Sequence, residues 1–222
     1  MKITLPTTGA TLPVGKLLCI GRNYAEHAAE MERDVPDEPM VFLKPATAVV
    51  RSGGTVWLPA QSQNVHHEAE LVAVIGTEGR HLSPATALDH VAAYAVGLDM
   101  TARDLQDEAK AKRHPWSVAK GFDTFAPLGP LAAAAAVDDP QALTLRLRRN
   151  ETTRQEASTR HMIFSVADLV AYCSRIFTLT PGDLLYTGTP SGVGPVEDGD
   201  TLEATATGIE PLTVTVSRPT RP

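Results

Sequence analysis

The chain has 222 residues, 43% of them hydrophobic and 21% charged, an ordinary balance for a globular protein with one sizeable core. A net charge of −6 offers no basic field to attract phosphate, so nucleic acid is not an expected partner. No apolar run approaches the ~20 residues a bilayer span needs, Met1–Pro6 carries no apolar signal-peptide core, and the widely separated Cys19 and Cys173 both read as buried free thiols, so a cytoplasmic protein without a membrane partner is expected.

Taken in chain order, residues 1 to about 15 read as a small strand-bearing appendage to a single domain spanning 1–222. Leu17–Ile20 is the first core strand, followed by Gly21-Arg22-Asn23-Tyr24 and a short helix within Tyr24–Arg33. On a helical turn His27 and Glu30 share a face. Glu30 can then orient His27 and raise its basicity, as a general base requires. Taken alone, such a pair also fits an ordinary surface. Met40–Leu43 is a second strand, and Lys44 directly after it can be held in a cleft. Val56–Leu58 and Ala69–Ile75 are further strands, rich in β-forming residues.

The segment His66-His67-Glu68-Ala69-Glu70-Leu71 leads into the last of these. Residues two apart on a strand point to one face, so Glu68 and Glu70 project together beside an apolar run. Like charges there repel each other and resist desolvation. A divalent cation is the simplest remedy, and a pair of exposed edge-strand glutamates is the plainer alternative. Ala92–Leu98 is a buried-looking strand that ends in Asp99. A third carboxylate at that point gives an all-oxygen set, which suits Mg²⁺ or Mn²⁺ more than Zn²⁺. His66 lies on the Glu68 face, so a histidine-containing iron or zinc site stays open, although the HExxH spacing is absent.

A second helix is expected over about Ala102–Arg113, with Thr101 as its cap and Asp104 in the capping-box position. Arg103 and Gln106 share a face of it beside Asp99 and can grip a substrate carboxylate. Lys120 precedes Gly121-Phe122-Asp123, and Leu143–Leu147 is a strand whose neighbours Arg146, Arg148 and Arg149 read as solvated. The third helix, about Val166–Phe177, has Ser165 and Asp168 at capping positions and an apolar stripe at helical spacing. Thr180-Pro181-Gly182-Asp183 stops it. Leu184–Tyr186 then enters the Gly-rich stretch Thr187–Gly194, which lacks the lysine and following helix of a phosphate loop. Its backbone donors and the Thr189 hydroxyl can still bind an oxyanion. Thr201–Ala206 and Leu212–Val216 complete a set of short strands that suggests a folded-over β architecture rather than βαβ units.

Together these fragments resemble the fumarylacetoacetate hydrolase family. The matching segments are GRNYAEHAAEM at 21–31, FLKP at 42–45, HHEAEL at 66–71, GLDMTARDLQ at 97–106, PWSVAKGFD at 115–123, MIFS at 162–165 and TGTPSGVG at 187–194. The likeness is greatest to the short branch that includes acylpyruvases and oxaloacetate decarboxylases. It implies a mixed α+β, mainly β fold built on a folded β-roll, and a homodimer. It implies Mg²⁺ or Mn²⁺ on Glu68, Glu70 and Asp99, a His27–Glu30 base and Lys120 as the active-site lysine. Arg22, Lys44, Arg103, Gln106 and Thr189 would line the substrate pocket. One departure is Asn150-Glu151-Thr152, where the family pattern leads one to expect a hairpin glycine.

The implied substrate is a small 2-oxo acid, chelated through its carboxylate and 2-oxo oxygens, with Lys120 adding positive charge where an enolate develops. Hydrolysis of an acylpyruvate by water activated at His27–Glu30 is the preferred reading. Oxaloacetate decarboxylation and keto–enol tautomerisation need the same centre. A fumarylpyruvate hydrolase or a hydratase–isomerase of aromatic-ring degradation is the remaining alternative.

Overall fold

Leu17–Ile20 and Ala69–Ile75 are apolar at nearly every position, the pattern of strands covered on both faces. Both are wholly buried in the computed structural model of the chain, which describes residues 1–26 and 36–219. The strands are β1 (Lys2–Thr4), β2 (Thr11–Pro13), β3 (Leu17–Ile20), β4 (Val41–Lys44), β5 (Val49–Arg51), β6 (Thr55–Trp57), β7 (Val65–His67), β8 (Ala69–Ile75) and β9 (Val91–Leu98). They continue with β10 (Thr101–Ala102), β11 (Ala126–Leu128), β12 (Ala132–Ala133), β13 (Thr144–Arg149), β14 (Thr152–Ser158), β15 (Leu184–Tyr186), β16 (Gly194–Pro195), β17 (Thr201–Ala206) and β18 (Ile209–Ser217). The α-helices are α1 (Pro84–Ala87), α2 (Arg103–Lys112), α3 (Ser117–Lys120) and α4 (Val166–Ile176). His27 and Glu30 lie outside the described residues.

The main sheet runs β4-β3-β15-β8-β9-β11-β5, with β12 also paired to β9. Alternate residues of its strands feed two separate clusters. Leu18, Ile20, Leu71, Ala73, Ile75, Val96 and Leu98 face one core. Leu17, Cys19, Val72, Val74, Ala93, Ala95, Leu184 and Tyr186 face another. The first core is closed by a second sheet, β14-β13-β17-β18-β6, through Leu145, Leu147, Leu202, Leu212 and Val214. It is also closed by α4 through Val166, Leu169, Val170 and Cys173. Each such aliphatic side chain contributes roughly 1.5–3 kcal/mol by leaving water. Ile3, Leu5 and Val14 from the β1–β2 hairpin cover part of the second core. The mainly β, mixed α+β roll expected from the sequence is thus the fold observed.

Several local expectations hold and others shift. Ser165 caps α4 with a full capping box against Asp168, an arrangement worth about 1 kcal/mol. Thr101 does not cap α2: its hydroxyl donates to Asp99 O, and the cap position is Ala102 without a side-chain bond. Asp104 instead accepts from Ser62 Oγ and the Gln63 amide, tying the helix to the loop before β7. The helices α1 and α3 and the strands β5, β10, β11, β12, β14 and β16 have no counterpart in the sequence reading. Asn150 adopts φ 55°, the left-handed conformation in which a glycine was expected, and its side chain bonds Asp200 and the Thr201 amide. Asn tolerates that region better than most residues, so the hairpin survives the departure. Arg146 and Arg148 pair with Glu156 and Glu203 on an exposed sheet face, as a solvated reading implies, whereas Arg149 departs from it: its largely covered side chain pairs with the buried Asp200. No described helix is long and apolar enough to cross a membrane.

Candidate active site

Glu68 occupies the single-residue break between β7 and β8, and Glu70 is the second residue of β8. Strand β9 runs antiparallel to β8 with Leu98 opposite Ala69, and the Asp99 amide donates to Glu68 O at 2.8 Å. That register brings a third carboxylate to the glutamate pair. Oxygens of Glu68, Glu70 and Asp99 all lie within 4.8 Å of one another, and all three residues are buried. Burial, then the charges of Asp99 and Glu68, hold the Glu70 carboxyl well above the usual range, against the Gly188 amide and Lys120. The crowding of buried carboxylates anticipated from the spacing is present in the fold.

Three cations surround the cluster. Lys120, at the end of α3, donates to Glu68 Oε2 at 2.8 Å and Asp99 Oδ2 at 2.5 Å, and its Nζ lies 4.9 Å from the centre of the Phe42 ring. Burial works to lower the Lys120 pKa, but the charges of Asp99 and Glu68 outweigh it and hold it above the usual lysine range. Lys44, at the end of β4, is fully enclosed: its Nζ is 2.5 Å from Asp99 Oδ1 and donates to Met100 O and Phe125 O. Arg103 pairs with Glu68 Oε1 and donates to Gln106 Oε1 at 2.6 Å. Lys44, Arg103 and Gln106 were expected to line the pocket; the structure places their polar ends against the carboxylates or each other.

Two buried oxygens of the cluster, Glu70 Oε1 and Asp99 Oδ1, have no hydrogen-bond partner among the described residues. The Lys44–Asp99 contact is an ion pair without hydrogen-bond alignment. A buried carboxyl oxygen left without any partner, as Glu70 Oε1 is among the described residues, is costly, and clustered carboxylate oxygens are the hard donor set that Mg²⁺ or Mn²⁺ takes. The residues fit a divalent cation. His66 is not part of this group. Its Nε2 lies 2.9 Å from Asn64 Oδ1, and burial with the nearby Arg103 charge lowers its pKa to about 4.

The Gly-rich stretch after β15 serves the cluster directly. Gly188 has φ +95°, and a Cβ there would meet Asn23 Cβ at 2.6 Å, so only glycine brings the chain this close. Its amide donates to Glu70 Oε2 at 2.7 Å. That donor is therefore taken by a carboxylate of the chain, not left for an oxyanion. Thr189 is buried, and its hydroxyl accepts from the side chain of Gln155. Arg22 is half-buried, just after β3. Sequence reasoning missed two residues that fix this region. Asn23, fully buried, donates to Phe164 O and Thr187 O and accepts from the Phe164 amide, joining three separate segments. Gln155 is the other. Their only sequence signal is a polar residue where the chain turns inward, and in β14 polar residues line both faces.

Comparison with known proteins accords with this geometry. Residues 16–217 match the family model described as fumarylacetoacetate (FAA) hydrolase C-terminal. Oxaloacetate tautomerase FAHD1, mitochondrial, of Arabidopsis thaliana is 46% identical over 207 residues, covering 93% of this chain and 93% of that protein. A crystal structure of fumarylpyruvate hydrolase from Pseudomonas aeruginosa in complex with Mn²⁺ and pyruvate aligns with TM-score 0.92 and 44% identity, over 99% of this chain and 96% of that one. The 5-carboxymethyl-2-hydroxymuconate delta-isomerase of Mycobacterium smegmatis aligns with TM-score 0.85 and 39% identity, over 96% and 87% of the two chains.

Proposed function

This chain belongs to the fumarylacetoacetate hydrolase family, and from that premise we propose that it is a divalent-metal-dependent enzyme converting a small 2-oxo acid through its enol or enolate. The observation that carries this reading is the buried trio Glu68, Glu70 and Asp99, two of whose oxygens lack a hydrogen bond among the described residues. A divalent cation held by those residues supplies Lewis acidity toward the carboxylate and 2-oxo oxygens of the substrate. Lys120 keeps a fixed positive charge beside the same centre, where negative charge develops on the enolate oxygen. Arg103, backed by Gln106, and Lys44 hold Glu68 and Asp99 in place and balance their charge. The hydroxyl of Thr189 and the side chain of Arg22 bind substrate oxygens. His27, oriented by Glu30, moves the proton at the reacting carbon.

Keto–enol tautomerisation of oxaloacetate needs no more than these parts, and the likeness to the Arabidopsis tautomerase favours it. Hydrolysis of an acylpyruvate is the second reading, favoured by the likeness to fumarylpyruvate hydrolase. There His27 would take a proton from water, the oxygen of that water would add to the distal carbonyl carbon, and collapse of the adduct would break the carbon–carbon bond, giving a carboxylic acid and the pyruvate enolate, which takes up the proton. We further propose a homodimer, on the resemblance alone, and a cytoplasmic location, which the free buried thiols of Cys19 and Cys173 favour although the Arabidopsis relative is named mitochondrial. The test is turnover of a panel with Mn²⁺ present: oxaloacetate enol-to-keto conversion by ultraviolet absorbance, and cleavage of acetylpyruvate and fumarylpyruvate. Faster oxaloacetate tautomerisation is the expected result. Dominant cleavage of an acylpyruvate would move the assignment to the second reading, and inertness toward all three would end both.

A further inference from the structure

Gln155 is 1% exposed, sits in β14 and belongs to neither the carboxylate cluster nor its counter-cations. It pairs with Leu147, just before a register shift in the β13–β14 ladder. Such a bulge re-aims a side chain and its backbone. Here the carbonyl of Arg154 turns onto the Gly-rich stretch, where a Cβ at Gly192 would meet it at 2.1 Å. The side chain of Gln155 then reaches two segments of the site at once. Its Oε1 accepts from the Ala69 amide at 2.9 Å and lies 3.3 Å from His67 Nδ1. Its Nε2 donates to Thr189 Oγ1 at 2.8 Å and to Pro190 O at 2.9 Å.

These partners leave no freedom in the amide. A backbone N–H only donates and a carbonyl only accepts, so Ala69 fixes Oε1 on one side and Pro190 fixes Nε2 on the other. Thr189 Oγ1 consequently receives a hydrogen from Gln155. Its own hydrogen cannot point back along that bond and is left to be donated elsewhere. We propose that Gln155 is a positioning residue: it makes the Thr189 hydroxyl an obligate hydrogen donor to the substrate's oxyanion and, through Ala69, locks the carboxylate-bearing β7–β8 junction to the Gly-rich stretch. This rests on the enolate reading above and deepens it.

Replacing Gln155 by Glu tests the assignment with little change of shape. The Glu can still accept from Ala69, but it no longer donates to Thr189 Oγ1. Thr189 then turns its hydrogen to the new carboxylate. In the Mn²⁺-loaded protein with oxaloacetate, Gln155→Glu and Thr189→Val are each expected to lower kcat by about ten- to a hundredfold with little change in KM, as for loss of one charge-assisted donor. The double variant is expected to be no worse than the poorer single, because both remove one interaction. Thr189→Ser is expected to stay within about threefold of the parent, since it keeps the hydrogen.

Losses that multiply in the double variant, or a Gln155→Glu protein within about twofold of the parent, would overturn the assignment. If Gln155→Glu does not fold, the Thr189 pair decides alone: equal activity of the Val and Ser variants refutes the donor role. Glu68→Ala in the same assay separates this from the functional reading. Retained turnover there sinks the metal-centred reading itself, whereas a dead Glu68→Ala protein alongside multiplying Gln155 and Thr189 losses sinks only the positioning role.

Discussion

Replacing Glu68 and Glu70 together by alanine is expected to abolish Mn²⁺ binding and to lower turnover of every responsive 2-oxo acid by about 10³-fold or more. A bound metal's Lewis acidity is worth several kcal/mol at the transition state, and each 1.36 kcal/mol is about a tenfold change in rate. The two glutamates supply two of the three clustered carboxylates. Without them, Asp99 is the one carboxylate of the cluster that remains, and it is already ion-paired to Lys44 and Lys120. Calorimetric titration with Mn²⁺ and a kcat measurement on the folded variant check both halves. Tight Mn²⁺ binding by the double variant would place the metal elsewhere.

The second large effect separates the chemistries that one enolate site permits. His27→Ala is expected to cut acylpyruvate hydrolysis by about 10²–10⁴-fold, the usual cost of losing a general base. Oxaloacetate decarboxylation should fall far less, because departure of CO₂ needs chiefly charge stabilisation at the enolate. Lys120→Ala, by contrast, should weaken both, since its ammonium bridges Glu68 and Asp99 at the centre of the site. Parallel kcat measurements on acetylpyruvate and oxaloacetate read the split. Equal losses for both substrates in His27→Ala would assign the pair a role in proton shuttling or in ordering the site rather than in activating water.

Much of this architecture was legible because it depends on short-range patterns. The apolar run Leu71–Ile75 read as a buried strand, and the capping box at Ser165 fixed the start of α4 to the residue. The pairing of Glu68 with Glu70 followed from a period of two. Asp99 was legible as a strand-end acid, yet its contact with the pair depends on the register of β8 against β9, which no local pattern states.

The roles of Lys44, Arg103 and Gly188 were harder to read. The resemblance points Lys44 to the substrate pocket, the shared face with Gln106 points Arg103 there, and the Gly-rich stretch offers the Gly188 amide as an oxyanion donor. In the fold their partners are the site's own carboxylates, an outcome set by burial and by segments far apart in sequence. Thr101 failed as a cap for a related reason. Residues Asp99–Ala102 leave β9 in an extended path, with β10 paired to β7, so the Thr101 hydroxyl meets Asp99 O before the helix begins. Gln155 lay beyond reach altogether, since its partners lie 34 and 86 residues away.

The most direct test of the central claim is activity as a function of metal. The purified protein is stripped with a chelator, exchanged into metal-free buffer and assayed on oxaloacetate and acetylpyruvate while Mn²⁺ or Mg²⁺ is titrated back. The account predicts that turnover vanishes in the stripped protein and returns saturably, with one metal per chain, as the cation fills the Glu68–Glu70–Asp99 cluster. Full turnover by the stripped protein, unchanged by added Mn²⁺ or Mg²⁺, would contradict it.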